Sequence, residues 1–307
     1  MKREIKGRVL LYYNPYSGSG SIKDNLDHII DRCQQAGYAV MPLRAEREIT
    51  IDDVMGTIKE QEDIKRIIVS GGDGTIHKLV NAMVKHDVYI PIGLMPSGTA
   101  NDFAFYFEID SDIDAALDVA LGNRTTLADV GMINDKYFIN VCAMGAMVDV
   151  SQKTDPQLKN ALGPLAYYLK AASELPQVHG IPMKLTTPNE VIEEEFYFLT
   201  VMNGESAGGF RKLSPSSSMK DGKLDVVAFK KMPIMEFGPL LFELINGRHP
   251  KNKNVLYFQT ESLDVESPED LVSDADGEKG ERLPIHFGVI EKRLEVFVSE
   301  KTWTYDD

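Results

Sequence analysis

Over its first 120 residues the chain alternates short apolar runs with amphipathic segments, and that rhythm leaves few architectures open. The runs Arg8–Tyr13, Tyr38–Leu43, Arg66–Ser70 and Ile90–Met95 are bounded by glycine, proline or polar residues. They read as strands buried on both faces, as in a parallel sheet. Between them, Ile22–Gln35, Ile51–Gln61 and Thr75–Lys85 carry helical periodicity. Thr50 with Asp53 three residues on predicts a capping box, Asp standing in for the usual Glu. A further helix is expected over Ser111–Leu121, with Gly122 as its carboxyl-terminal cap. Regular strand–helix alternation predicts an open, mostly parallel α/β sheet.

Past Arg124 the texture changes. Runs such as YFINVCAMG, EFYFLTVMNG, KLDVVAFK and RLEVFVS alternate, or nearly so, and are separated by turn residues. They predict a larger β-rich, sandwich-like second domain, interrupted by helices near Gln157–Leu175 and Ile234–Asn246. A length of 307 residues agrees with two domains. The expected division is 1–127, an α/β nucleotide-binding domain, and 128–307, with a return of the last residues to the first domain left open. Only two cysteines occur, Cys33 and Cys142, in unrelated contexts, so neither a disulfide framework nor a zinc site is expected. The amino-terminal MKREIKGRVLLYYNP has a basic-then-apolar order, but the apolar run is short for a secretory leader and no small-residue cleavage site follows. A cytoplasmic chain without a spanning helix is expected. With 47 acidic against 33 basic residues the formal net charge is −14, which argues against nucleic acid as a partner. The densest basic stretch, GRHPKNKN at 247–254, reads either as a solvated loop or as a contact for an anionic membrane surface.

Three of the four strands end in loops rich in Gly, Ser, Thr and Asn, and each loop opens a helix: YYNPYSGSGS, SGGDGTIH and LMPSGTANDF. In an open α/β sheet ligands bind at the carboxyl ends of the strands. Glycine lets the backbone approach a ligand, and successive N–H groups at a helix start form an anion nest. Three such loops on one sheet edge predict a polyphosphate site. The chain has no G-x-x-x-x-G-K-[ST], no complete G-x-G-x-x-G with a downstream acidic residue, and no H-R-D or D-F-G, so P-loop, dinucleotide and protein-kinase readings fail. Asp73 sits inside a nest that should repel it. A divalent cation between its carboxylate and the phosphates resolves the conflict, since Mg2+ takes one or two carboxylates together with waters and phosphate oxygens. Asp102 and Asp129 are expected at comparable strand or loop ends. Their alternatives, a helix-capping aspartate and a strand-edge ion pair, stay open.

Taken in order, YNPYSGSG, GGDGT and PSGTANDFA resemble the diacylglycerol kinase catalytic family, which includes bacterial soluble lipid kinases. The resemblance continues through LADVGMIN…YFINVCAMG, LKNALGPLAYYLKA, GGFRKLSPSSSMKDGKLDVV and DADGEKGERLP, covering nearly the whole chain. It implies an ATP- and Mg2+-dependent kinase that phosphorylates the hydroxyl of diacylglycerol to give phosphatidic acid, with the active site in an inter-domain cleft. Asn14, Ser17 and Gly18 would hold nucleotide, while Gly71, Gly72, Gly74 and Thr75 would form the phosphate nest and Ser97, Gly98 and Thr99 would complete it. Asp73, Asp102 and Asp129 would form a carboxylate–water–Mg2+ network, and Glu278 would be the general base. A second, structural magnesium would use Asp221 with carbonyls near Ser218 and Lys223. Two departures bear on nucleotide binding: His77, followed by Lys78, stands where the family usually has Asn, and Ala45 where it has Thr. The expected partners are ATP and a membrane lipid, met through peripheral and reversible membrane contact by Arg248, Lys251 and Lys253, with Lys230 and Lys231 flanking; a homodimer is left open. Competing readings are a kinase of another hydroxyl lipid (phosphatidylglycerol, a ceramide-like lipid or an undecaprenol), an NAD kinase, and a nucleotide- or lipid-binding regulator without turnover.

Overall fold

The structure is a computed structural model, and it describes residues 5–18, 21–45, 48–59, 61–145 and 179–299. These fall into two compact units, one running to Asp129 and resuming at Glu291, the other spanning Val130–Ile290.

In the first unit, β1 (Gly7–Tyr13) lies between β2 (Tyr38–Arg44) and β3 (Ile64–Gly71), parallel to both. Strand β4 (Ile92–Pro96) pairs in parallel with β3. Its other edge is met by Val296, in the last part of β15 (Ile285–Phe297). Val9, Leu10, Leu11, Ile67 and Ile68 are fully buried in unbroken runs, as strands covered on both faces require. The covering helices are α1 (Ser21–Asp24), α2 (Leu26–Gln35), α3 (Ile51–Ile58), α4 (Asp73–Lys85), α5 (Asp102–Tyr106) and α6 (Ile113–Ala120). The Thr50–Asp53 capping box forms with both of its hydrogen bonds. Two local expectations are corrected. The helix expected over Ile22–Gln35 is two helices, divided at Asn25, which stands at the amino-terminal cap of α2. Gly122 donates its N–H to the Val119 carbonyl after α6, and its backbone is not left-handed, so it forms no glycine cap of that kind.

Two buried arginines tie helix ends to the sheet. Arg66 on β3 donates to the carbonyls of Ala120 and Gly122 at 2.7 and 3.1 Å. Arg293 on β15 donates to Val88 and Met83 at 3.0 and 2.9 Å. A cation placed on the carbonyl end of a helix is favoured by the dipole, and both guanidiniums hold backbone carbonyls at or just past helix ends.

The second unit is antiparallel. Its strands include β7 (Val141–Gly145), β8 (Ile181–Thr186), β9 (Val191–Met202), β10 (Leu224–Lys230), β11 (Val255–Thr260), β12 (Ser262–Glu266), β13 (Val272–Ala275) and β14 (Glu278–Arg282). The 12-residue β9 branches: its first half pairs with β8, and its second half runs between β7 and β10. Val201 thus faces Cys142 on one side and Val226 on the other. The alternate residues Leu199 and Val201 point with Leu185, Val226, Leu263 and Phe287 into one core. A second core, around Met202, Val227 and Val255, is closed by Leu240 and Leu244 of α7 (Ile234–Ile245). The helix expected near Gln157–Leu175 lies outside the described residues.

Candidate nucleotide site

The site in the first unit is assembled by backbone contact between three loops. Asn14, just past β1, donates its N–H to the Ser70 carbonyl at 2.9 Å, and its side-chain carbonyl accepts the Tyr16 N–H at 2.9 Å. The chain then turns through Gly18, whose φ is +56°. A Cβ on Gly18 would lie 2.2 Å from the Ser97 carbonyl oxygen, so only glycine fits. Ser17 Oγ donates to the same carbonyl at 3.2 Å. Ser97 donates its N–H to the Gly71 carbonyl at 3.0 Å, locking the third loop to the second. There Gly72 and Gly98 meet face to face: a Cβ on Gly98 would lie 2.5 Å from Gly72 Cα. Asn101, with a left-handed backbone (φ 51°), brackets Gly98 by accepting its N–H at 2.8 Å and donating to its carbonyl at 3.0 Å.

Gly72 is the amino-terminal cap of the 13-residue α4, with Asp73 and Gly74 in its first turn. The N–H groups that open a helix have no carbonyl one full turn back, and the dipole there favours an anion; in α4 the Thr75 N–H is already given to the Gly72 carbonyl at 2.9 Å. Thr75 is buried against Gly71, its hydroxyl 3.5 Å from Asn14 Nδ2. Beside this nest lies a pocket of about 460 Å3. Gly18, Ser70, Ser97, Gly98, Thr99 and Asn101 form its polar wall; Ile22, Met95, Ile113 and Ala116 contribute an apolar one. Ser97 Oγ is buried and takes no hydrogen bond from the described residues. A polar wall, an apolar wall and an orphaned hydroxyl together suit a nucleotide, which has a phosphate end and a flat apolar base.

Asp73 and Asp102 stand at the first positions of α4 and α5, and Asp73 Oδ1 accepts the Phe103 N–H at 3.0 Å. The two carboxylates therefore come from neighbouring helix starts, Asp102 buried to 4% exposure. Among the described residues no group of three His, Cys, Asp or Glu is arranged to hold a metal. The donor set suits a cation shared between one or two carboxylates and phosphate oxygens, not a cage built by protein alone. Asp129 corrects its expected position. It lies inside β5 (Thr125–Ile133), not at a strand end, is buried to 1% exposure, and accepts the Lys292 N–H at 2.7 Å. That hydrogen bond holds Lys292 in a left-handed backbone, φ 52°, so Asp129 has a structural duty the sequence did not announce. His77 is half-buried on α4, and Ala45 is buried, its N–H bonded to the Tyr13 carbonyl. Ser19 and Gly20 lie outside the described residues.

In the second unit Glu278 opens β14 and is exposed. In the turn before it the acidic side chains are half-buried and serve the backbone. Asp276 accepts the N–H groups of Ile139, Asn140 and Val141 at 2.7, 2.9 and 3.0 Å, clamping the start of β7. Asp274 accepts the Gly277 N–H at 2.8 Å. Glu278 thus projects from a hairpin that its acidic neighbours hold rigid. Asp221 accepts the Lys223 N–H at 3.0 Å and lies 3.5 Å from the Gln259 amide, closing its own turn, while Ser218 Oγ accepts the Lys220 N–H at 3.3 Å. Glu205, in the stretch after β9, was not singled out from sequence; burial raises its carboxyl above the ordinary range, and Lys212 and Arg211 oppose the shift. The basic residues expected to meet a membrane are mostly engaged: Lys230, Lys231 and Lys253 pair with Glu194, Glu195 and Glu236 at 2.8, 2.6 and 3.1 Å.

Residues 8–133 match the diacylglycerol kinase catalytic domain, and residues 140–298 match the YegS C-terminal NAD kinase beta sandwich-like domain. Proteins named diacylglycerol kinase are similar along nearly their whole length. The one from Staphylococcus haemolyticus is 32% identical over 93% of this chain and 86% of its own, and that from Staphylococcus carnosus 31% over 95% of each. A crystal structure described as a diacylglycerol kinase from Bacillus anthracis covers 96% of this chain and 98% of its own, with a TM-score of 0.76 at 21% identity. Another solved chain from that organism reaches 0.81 at 24%, with the same coverage. At that identity these structures establish the fold.

Proposed function

Because the chain belongs to the diacylglycerol kinase catalytic family, a family of lipid kinases, we propose that it transfers the γ-phosphoryl group of ATP to the hydroxyl of diacylglycerol, giving ADP and phosphatidic acid. The observation that carries the reading is the meeting of three glycine loops beside a pocket with one polar and one apolar wall. Phosphoryl transfer is limited by charge and alignment more than by covalent chemistry. In this reading Asn14, Ser17 and Gly18 hold the nucleotide from the first loop. Gly71, Gly72, Gly74 and Thr75 cradle phosphate at the start of α4, the Thr75 N–H being already given to the Gly72 carbonyl, and Ser97, Gly98 and Thr99 close the nest, with the Ser97 hydroxyl gaining its missing partner. Asp73 and Asp102 would hold Mg2+ against the phosphates, with Asp129 supporting through water; the bound cation supplies charge neutralisation. Glu278 accepts the proton of the lipid hydroxyl as the new P–O bond forms, and the β/γ-bridging oxygen leaves with ADP. A structural cation at the Asp221 turn belongs to the same reading, through the carbonyls near Ser218 and Lys223. It would raise the melting temperature with added Mg2+, an effect that Asp221→Ala should abolish.

The test is a panel of hydroxyl lipids (diacylglycerol, phosphatidylglycerol, ceramide and undecaprenol) with radiolabelled ATP and Mg2+, reading label in the organic phase. Label appearing chiefly in phosphatidic acid supports the proposal. Label on another lipid moves the substrate assignment, and ATP binding without transfer to any lipid refutes the kinase reading.

A further inference from the structure

Helix α7 (Ile234–Ile245) buries Leu240 and Leu244 in the second core and turns a different face outward. That face carries Met235, Gly238, Pro239, Phe242 and Ile245, spaced as one side of a helix and without a charge. Met235 is 86% exposed, Phe242 66% and Ile245 56%. Three of the ten exposed large hydrophobics among the described residues thus stand on one 12-residue helix. Scattered exposed apolar residues are ordinary, but a contiguous stripe of them marks a surface that something covers.

The charges around the stripe are sorted. Glu236 is neutralised by Lys253, and Glu243 accepts the Asn252 amide at 2.7 Å; both are half-buried on the flanks. Just past the helix, Arg248 and Lys251 are exposed, with no carboxylate within ion-pair distance among the described residues. Between them His249 is fully buried, its Nε2 donating to the Leu213 carbonyl at 2.9 Å and its ring stacked on Phe229. Burial holds its pKa below the ordinary value. This anchor fixes the turn His249–Lys251 and with it the two cations at the carboxyl end of the apolar stripe.

We propose that α7 and the turn after it form the surface by which this protein docks on an anionic bilayer, Met235, Phe242 and Ile245 entering the interface while Arg248 and Lys251 meet the headgroups. The proposal rests on the reading that the substrate is a bilayer lipid. A chain with a net charge of −14 is repelled by such a surface as a whole, so contact must be made where acids are absent or neutralised and apolar area is available. An amphipathic helix lying in the membrane plane binds by both terms together. The basic residues first expected to carry the contact supply only two unpaired cations, so the apolar residues carry the larger share.

The experiment is flotation with vesicles of phosphatidylcholine alone and of phosphatidylcholine mixed with phosphatidylglycerol, without diacylglycerol or ATP, so that it is independent of turnover. Phe242→Ser/Ile245→Ser should lower partitioning onto mixed vesicles by about tenfold or more. Arg248→Ala/Lys251→Ala should lower it by roughly fivefold per residue at low salt and less at high salt, while vesicles of phosphatidylcholine alone should respond only to the apolar pair. All variants should melt with the parent, since the substituted side chains are exposed, and should keep activity on short-chain diacylglycerol dispersed in detergent. Parent-like binding by the apolar double variant overturns the proposal. It is equally overturned if the parent is a dimer that this variant makes monomeric while vesicles bind neither, because a second copy would then cover the stripe.

Discussion

Replacing Gly98 by alanine tests the loop packing and its function at once. A Cβ there would lie 2.5 Å from Gly72 Cα and 2.8 Å from Asn101 Oδ1. Carbon atoms rest about 3.5–4.0 Å apart, so the second and third loops must separate by roughly 1 Å. The obstacle is backbone on a strand end, not a side chain that can swing away. Overpacking of this kind costs about 1–3 kcal/mol, or on the order of 5 °C in the melting temperature of a domain of this size. Displacing a phosphate-binding group by about 1 Å costs up to roughly 100-fold in rate. Gly98→Ala should therefore melt a few degrees lower, show weaker stabilisation by ATP with Mg2+, and lose kcat/KM for ATP more severely than the modest stability change accounts for. Gly238→Ala is the control: nothing lies within 4 Å of its added Cβ and it sits inside a helix, so stability should hold or rise. Thermal unfolding with and without nucleotide, together with steady-state kinetics, gives both readouts. A Gly98→Ala protein with parent melting temperature and parent KM would refute the packing argument. A normal KM with a lowered melting temperature would refute the nucleotide assignment alone.

Other substitutions separate the proposed roles. Asp73→Asn should abolish measurable transfer while leaving the melting temperature within about 2 °C, because the amide can still accept the Phe103 N–H; turnover near the parent's at saturating Mg2+ would remove the metal role. Glu278→Gln should lower kcat by about 10²–10⁴-fold with KM for ATP unchanged, as expected for a base that acts only in the transition state, and pre-steady-state kinetics with intact kcat would reassign the base. Asp276→Ala leaves three backbone N–H groups of Ile139, Asn140 and Val141 without their acceptor. It should destabilise the protein by about 3 kcal/mol in denaturant unfolding, and a loss under about 0.5 kcal/mol would mean that water replaces the carboxylate.

Much of the first unit was legible because its signals are local. Unbroken apolar runs between amphipathic segments specify buried parallel strands, and the Thr50–Asp53 spacing alone specifies a capping box. The glycine loops were legible as phosphate nests because glycine, serine and a helix start are written consecutively in the chain. The boundaries at Asn25 and Gly122 were not, since a helix break or a cap is settled by small energies that packing overrides. The apolar wall of the pocket was invisible for a different reason: Ile22, Met95, Ile113 and Ala116 have the same periodicity whether they line a core or a cavity. Asp129 and Asp276 looked like ordinary acids, and what they hold lies more than a hundred residues away in the chain: Lys292 in one case, Ile139–Val141 in the other. Likewise the sequence counts the cations near α7, but only folding shows that Lys230, Lys231 and Lys253 are paired and that Arg248 and Lys251 are left beside an exposed apolar stripe. Periodicity and turn chemistry act between near neighbours and so can be read along the chain. Which carboxylate meets which N–H, and which face of a helix stays uncovered, depends on contacts between distant segments, which only the tertiary structure decides.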